Sequence, residues 1–461
     1  MSEETKKLPG PRGGGLFGSL RDIGPKGHVT WTKWSEIYGP IYRLDLGPMG
    51  DSIVLSDYNV LKKAFEDNAD VFAGRFVLPV VEKAGSLGTL SWEVGEIHEK
   101  RTRLTQAFFE KVDLDLNKLA QNEVEAFCDM LKERQDKSPS TLYEMIHESN
   151  MNMALAYTYQ RSQRCPYDNE QFRQRMALMD DVSEARGNLF GEKVNFFPFL
   201  WCIGYRKFKH AHSALRSNIN QELSSRDPPI GTVQDLMDSY LAKVDGIDFP
   251  AKECISHIMN FIGASISLKT TIQWLVLLIT KHKDVQTKIQ NEVTSVFGDE
   301  VPTMEGIYKV PYTSATIYET LRIACPAQII PHMTTSDVKL EGYDIKKGTI
   351  AFGNVWGIHH DPKYWKEPET FNPDRFLNSE GKLDHKDEES YIPFGRGKRR
   401  CLGEELSKRV MFLYLTSIYQ KFGFEEVEGH PLPDVDDGII HGGRHKPPPY
   451  KVKIVPRSDG K

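Results

Sequence analysis

The feature that most constrains this chain is the loop Tyr391-Ile392-Pro393-Phe394-Gly395-Arg396-Gly397-Lys398-Arg399-Arg400-Cys401-Leu402-Gly403-Glu404, which runs into an apolar helical pattern. Lys398, Arg399 and Arg400 precede one cysteine, Cys401, placed near the start of that helix. Positive potential and orphan backbone N–H groups there favour thiolate over thiol. The pattern therefore predicts a reactive or metal-ligating sulfur, where a lone cysteine is more commonly inert core. Gly397 and Gly403 let the backbone turn sharply and pass close to a flat ligand. Phe394 can lie against such a ring, and the basic residues can meet acidic groups on its rim.

The chain around this loop reads as one large, mainly helical enzyme with small sheets. Its 461 residues allow a substantial core. A hydrophobic content of 39% and a net charge of -5 exclude a disordered chain and give no basic surface for nucleic acid. The other cysteines, Cys128, Cys165, Cys202, Cys254 and Cys325, have no paired spacing, which argues for a reducing compartment. Residues 1–15 form a polar, then Pro/Gly-rich lead, with Leu8 to Gly13 extended on the surface. Residues 16–461 form the single catalytic domain. No run reaches the roughly 18 apolar residues of a membrane span.

Along that domain, Trp31 to Ile37 is amphipathic and Tyr38-Gly39-Pro40 turns into a strand at Ile41 to Leu46. Ser52 to Leu55 is its hairpin partner, giving a small N-terminal sheet. Helical periodicity then dominates from Asn59 to Lys283, broken at Pro79, Pro139, Pro166 and Arg226-Asp227-Pro228-Pro229. Pro250 to Lys281 is a long apolar helix that starts with proline where proline is tolerated. A later helix ends at Pro326 and Pro331. Val338 to Ile345, Ile350 to Val355 and Tyr450 to Val455 read as strands. His441 and His445 lie in a Gly/Pro loop, which is no metal site.

The stretch Phe394 to Gly403 reads Phe-x-x-Gly-x-Arg-x-Cys-x-Gly, and with it the chain resembles the heme-binding loop of the cytochrome P450 superfamily. The resemblance implies the cytochrome P450 fold, heme b as cofactor, Cys401 as axial ligand of the iron, and Arg399 on a heme propionate. It implies a second propionate contact from Arg101, although Ile97 stands where the family places tryptophan, and a third from His332. Glu319-Thr320-Leu321-Arg322 followed by Phe371-Asn372-Pro373-Asp374-Arg375-Phe376 matches the family's structural elements. This implies a buried Glu319, Arg322 and Arg375 network.

In the long helix, oxygen-activating members carry Ala-Gly-x-Asp/Glu-Thr. Here Gly263 and Ala264 keep the small pair, Ile266 replaces the acid and Ser267 the threonine. Isoleucine cannot relay a proton. Asn260 gives Asn-x-x-Gly-Ala, similar to the element of the fatty-acid hydroperoxide branch, whose asparagine holds the hydroperoxide against iron. The expectation is therefore rearrangement of polyunsaturated fatty-acid hydroperoxides, as in allene oxide or epoxyalcohol synthases, without dioxygen or reductase. The alternative is an NADPH-cytochrome reductase-dependent monooxygenase of a lipid, steroid or xenobiotic, and a remote one is a heme sensor or carrier. The expected partner is a lipophilic small molecule, not nucleic acid. The expected location is cytoplasmic or peripheral on the cytoplasmic face of the endoplasmic reticulum.

Overall fold

The computed structural model describes residues 6–13, 18–47, 50–76, 94–111, 113–134, 141–159, 169–190, 198–226, 235–242, 250–384, 389–441 and 443–457. Pro79, Pro139, Pro166 and Asp227 to Pro229 lie outside them. Among the described residues the longer helices are α1 (Gly27–Tyr38), α2 (Gly95–Lys111), α3 (Asp113–Arg134), α4 (Thr141–Thr158) and α5 (Glu170–Phe190). They continue with α6 (Pro198–Ser225), α7 (Ala251–Lys281), α8 (Lys283–Phe297), α9 (Pro311–Ile323) and α10 (Glu404–Lys421). The strands are β1 (Ile41–Asp45), β2 (Asp51–Leu55), β3 (Ile330–Met333), β4 (Val338–Leu340), β5 (Tyr343–Ile345), β6 (Ile350–Gly353), β7 (Phe422–Glu426), β8 (Ile439–His441), β9 (Arg444–Lys446) and β10 (Val452–Pro456).

β1 and β2 pair antiparallel with Ile41 opposite Leu55, and Arg43 N–H reaches the lead through Pro9 O at 2.7 Å. The sheet does not stop at this hairpin. β6 joins β2 in parallel and β3 joins β6, giving the order β1-β2-β6-β3. The reason is that β1 and β2 are apolar on both faces. Ile41, Ile53 and Leu55 pack towards Phe65 and Phe72, while Tyr42, Leu44 and Val54 pack towards Trp31 of α1. A two-stranded hairpin could not cover both.

α7 is apolar on nearly every side because it is surrounded, with Ile258, Ile262, Trp274 and Leu277 in one core with residues of α3, α4, α9 and α10. It is the one described helix long and apolar enough to cross a membrane, over Glu253–Lys281, and 72% of its apolar window lies inside the protein. Lys269 and Gln273 interrupt that apolar run in the sequence. α9 ends at Ile323, earlier than Pro326, where Cys325 takes a φ of 39°. His441 and His445, read from sequence as lying in a loop, belong instead to β8 and β9, which pair antiparallel with Ile440 opposite His445. There the His445 imidazole is buried with Nδ1 2.6 Å from Ala324 O. β10 begins at Val452, since Tyr450 turns inward to donate to Gln273 O at 2.7 Å.

Candidate functional site

α7 and the 391–404 loop face each other across a cavity of about 390 Å³, the size range of small-molecule sites. One wall carries Asn260, Phe261, Ala264, Ser267 and Leu268. The other carries Phe394, Lys398 to Gly403, and the start of α10. α2 and α4 close the sides with Phe109, Asn150 and Tyr157. Cys401 lies deep in the protein and yet is exposed, because its surface opens onto this cavity.

The loop is held by its own backbone and by its neighbours. Cys401 N–H donates to Phe394 O at 2.9 Å, and Ile392 N–H donates to the buried His359 Nε2 at 3.0 Å. Gly397 takes a φ of 70°, and a Cβ there would lie 1.7 Å from Phe65 O. Its bare backbone therefore serves the close approach of the 63–67 segment rather than a ligand. Gly403 is different: an added Cβ would meet Ser407 Oγ at 3.8 Å and Cys401 Sγ at 4.0 Å, so it would project on the sulfur's side, at the cavity wall.

The three cations do not gather on the sulfur as the sequence suggests. Lys398 pairs with Asp70, Arg400 Nε donates to Glu404 Oε2 at 2.6 Å, and Arg399 Nε donates to Ala73 O at 2.7 Å. Burial accordingly pushes the Cys401 thiol up, opposed by the Gly403 N–H and Arg400. A bound metal cation would reverse this, since coordination deprotonates a thiol outright.

Positive charge gathers instead at one edge of the cavity. Arg75 is pulled down to about 9, first by burial and then by Arg399, and its Nε is buried without a hydrogen-bond partner among the described residues. His98 is pulled down to about 4 by burial and then by Arg399, Arg75, Arg101 and Lys398. A macrocycle with two carboxylates fits this set. The sulfur opens onto the cavity, Gly403 leaves room beside it, and the buried Arg75 Nε has no hydrogen-bond partner among the described residues.

Arg75 and His98 were not singled out from sequence. His98 was within reach, since it stands three residues before Arg101 on the same helix face. The loop residue Arg75 gave no periodic signal. Arg101 and His332, expected on the ligand, are not among the residues lining the cavity. The buried Arg101 reaches the first turn of α7, with Nη2 3.1 Å from Glu253 Oε2. His332 stacks on Phe65 at 3.8 Å and 15°, with Nδ1 2.8 Å from Phe72 O.

On α7, Asn260, Ala264 and Ser267 line the cavity; Gly263 does not, although a Cβ there would meet nothing within 4 Å. Ile266 is buried in the core. Glu319, Arg322 and Arg375 meet behind the loop. Arg322 Nε and Nη2 each lie 2.7 Å from a Glu319 oxygen, and Arg375 Nε lies 3.1 Å from Glu319 Oε1. Arg322 Nη1 also donates to His359 O at 2.8 Å, which couples this cluster to the histidine that holds Ile392.

A family model described as Cytochrome P450 matches residues 8–454. The chain is 29% identical to Cytochrome P450 2C54 of Mus musculus, over 98% of this chain and 95% of the mouse protein. It is 27% identical to the steroid 17-alpha-hydroxylase/17,20 lyase of Ictalurus punctatus, over 96% of this chain and 89% of the fish protein. Its fold is shared with a zebra fish cytochrome P450 solved with progesterone, at a TM-score of 0.82 and 24% identity, covering 93% of this chain and 99% of that one.

Proposed function

The chain belongs to the cytochrome P450 family, and from that premise we propose that it is a reductase-dependent monooxygenase of a lipophilic substrate. Substrate, dioxygen, two electrons from NADPH and two protons yield hydroxylated product and water. Heme b, the family's cofactor, supplies the iron at which dioxygen is reduced when it is bound through Cys401. Arg75, Arg399 and His98, which line one edge of the cavity, would hold its carboxylates. Phe109, Phe261, Leu268 and Ile330 give the cavity apolar walls that exclude water and accept a hydrocarbon skeleton. Ala264 keeps the α7 wall low, and Ser267 brings a hydroxyl that can hold or give up a proton at Oγ.

The observation that carries this reading is Ser267 on the cavity wall, in the helix that faces Cys401. The names of the relatives support it, since one is a steroid hydroxylase, and they favour it over the hydroperoxide rearrangement expected from Asn260 and Ile266. That second reading keeps one observation in its favour: Asn260 lines the cavity. Purified holoenzyme given lauric acid or progesterone, NADPH and reductase is expected to form hydroxylated product. Rapid anaerobic bleaching of a linoleic acid hydroperoxide, with no product from the reductase system, would overturn the monooxygenase reading in favour of the second.

A further inference from the structure

Where a proton-relaying carboxylate would stand in α7, Ile266 is turned into the core, and another group reaches the same turn of the helix. Arg444 leads β9, which packs along α7. Its Nε donates to Ser267 Oγ at 2.6 Å and its Nη2 donates to Gly263 O at 3.1 Å. Gly263 and Ser267 are four residues apart, so one planar guanidinium spans a full helical turn.

An arginine has donors only. Ser267 Oγ is therefore the acceptor in this contact, and its own proton must be given elsewhere. Ser267 lines the cavity and Arg444 is not among its lining residues, so Arg444 acts on the serine rather than on a ligand. We propose that Arg444 is the positioning residue that turns the Ser267 hydroxyl toward the cavity and makes it the proton donor for oxygen reduction.

This rests on the monooxygenase reading above. In the step, Ser267 Oγ gives one proton to oxygen on its way to water and takes one back from solvent. Arg444, permanently protonated, exchanges none and offsets the negative charge left briefly on Oγ. Gly263 O, held by the same guanidinium, keeps the helix turn in register with the serine. An acid at 266 is then not needed, because the polarising group arrives from the C-terminal hairpin.

The test compares wild-type holoenzyme with R444M, R444K, S267A and the R444M/S267A double variant, using lauric acid, NADPH and reductase. Product and hydrogen peroxide are measured per NADPH consumed, with heme content and the spectral Kd for lauric acid read in parallel. R444M is expected to lose product per NADPH about tenfold, the scale of one charge-assisted hydrogen bond, with peroxide rising to match. Heme content and Kd stay within about twofold, S267A behaves alike, the double variant is no worse than S267A, and R444K lies between wild type and S267A.

R444M coupling within about twofold of wild type, or a double variant additively worse, overturns the proposal. If R444M does not hold heme, S267A decides, and S267A coupling equal to wild type overturns it. A wild type that makes no product with reductase overturns the functional reading and this proposal together. That outcome is distinct from a well-coupled wild type whose R444M variant couples equally well.

Discussion

Among the described residues no carboxylate pairs with Arg75. Its Nη1 donates to Pro331 O, its Nε is buried without a hydrogen-bond partner among the described residues, and Arg399 stands close enough to repel it. A cation in that position lowers stability until an anion arrives. Replacing it should therefore weaken cofactor retention more than it weakens the fold. R75M is expected to lose heme about tenfold faster than wild type, the scale of one charge-assisted hydrogen bond, while its thermal unfolding without heme is unchanged or raised. Transfer of heme to an apo-globin acceptor, with a melt of the heme-free protein, reads both quantities, and unchanged transfer would remove Arg75 from the cradle. The sequence showed the opposite half of this site, because Cys401 sits among glycines at diagnostic spacing. It did not show how the loop's cations are held: Lys398 and Arg400 line the cavity yet are drawn to Asp70 and Glu404, carboxylates whose approach only the fold decides.

Between α9 and the 373–376 turn, stability depends on one carboxylate. Glu319 is fully buried and serves Arg322 through two bonds, Arg375 through one and Asn372 N–H at 3.0 Å. Arg322 lies over the Trp365 ring at 5.1 Å and has no solvent to turn to. Neutralising the acid would leave an uncompensated buried guanidinium, and breaking such a pair costs about 3–5 kcal/mol. E319Q is thus expected to fall by that amount in urea unfolding. The loop should loosen with it, since Arg322 holds His359 O while His359 Nε2 holds Ile392 N–H. A variant within about 1 kcal/mol of wild type, below the usual cost of a broken buried pair, would mean the network is dispensable. The spacing of Glu319 and Arg322 made half of this cluster legible, because residues three apart share a helix face. The link through His359 was not, since it runs through a main-chain carbonyl and a main-chain N–H that any residues would offer.

At the scale of the whole molecule, long periodic elements such as α7 and the strands β6 and β10 were legible, while the β8–β9 hairpin and the strand pairings between distant parts of the chain were not. β8 and β9 have three residues each, too few to show alternation, and the sheet that β1 and β2 start is completed by strands after residue 329. The same long-range closure brings three histidines around Trp356: His28 of α1 at 4.4 Å, His360 at 3.9 Å and His445 of β9 at 5.0 Å between ring centroids. Burial pulls His28 and His360 down to about 3 and His445 to about 4, with Lys26, Arg322 and the histidines themselves adding repulsion and Asp436 opposing it at His445. Glu369 is 3.9 Å from His360 Nε2 but largely exposed, too weak to restore its proton. These folded-state values lie below the unfolded value of about 6.5, so between pH 4 and 6.5 the unfolded chain binds more protons. Stability is then complete above pH 6.5 and is lost as pH falls, by about 2 kcal/mol per histidine at pH 5. Urea unfolding should show a clearly lower free energy at pH 5 than at pH 7, and H28Q should remove roughly one proton from the slope. Equal stability at the two pH values, or an H28Q slope matching wild type, would show that the cluster opens to water and that α1, the 355–360 segment and the C-terminal hairpin are not held together through Trp356.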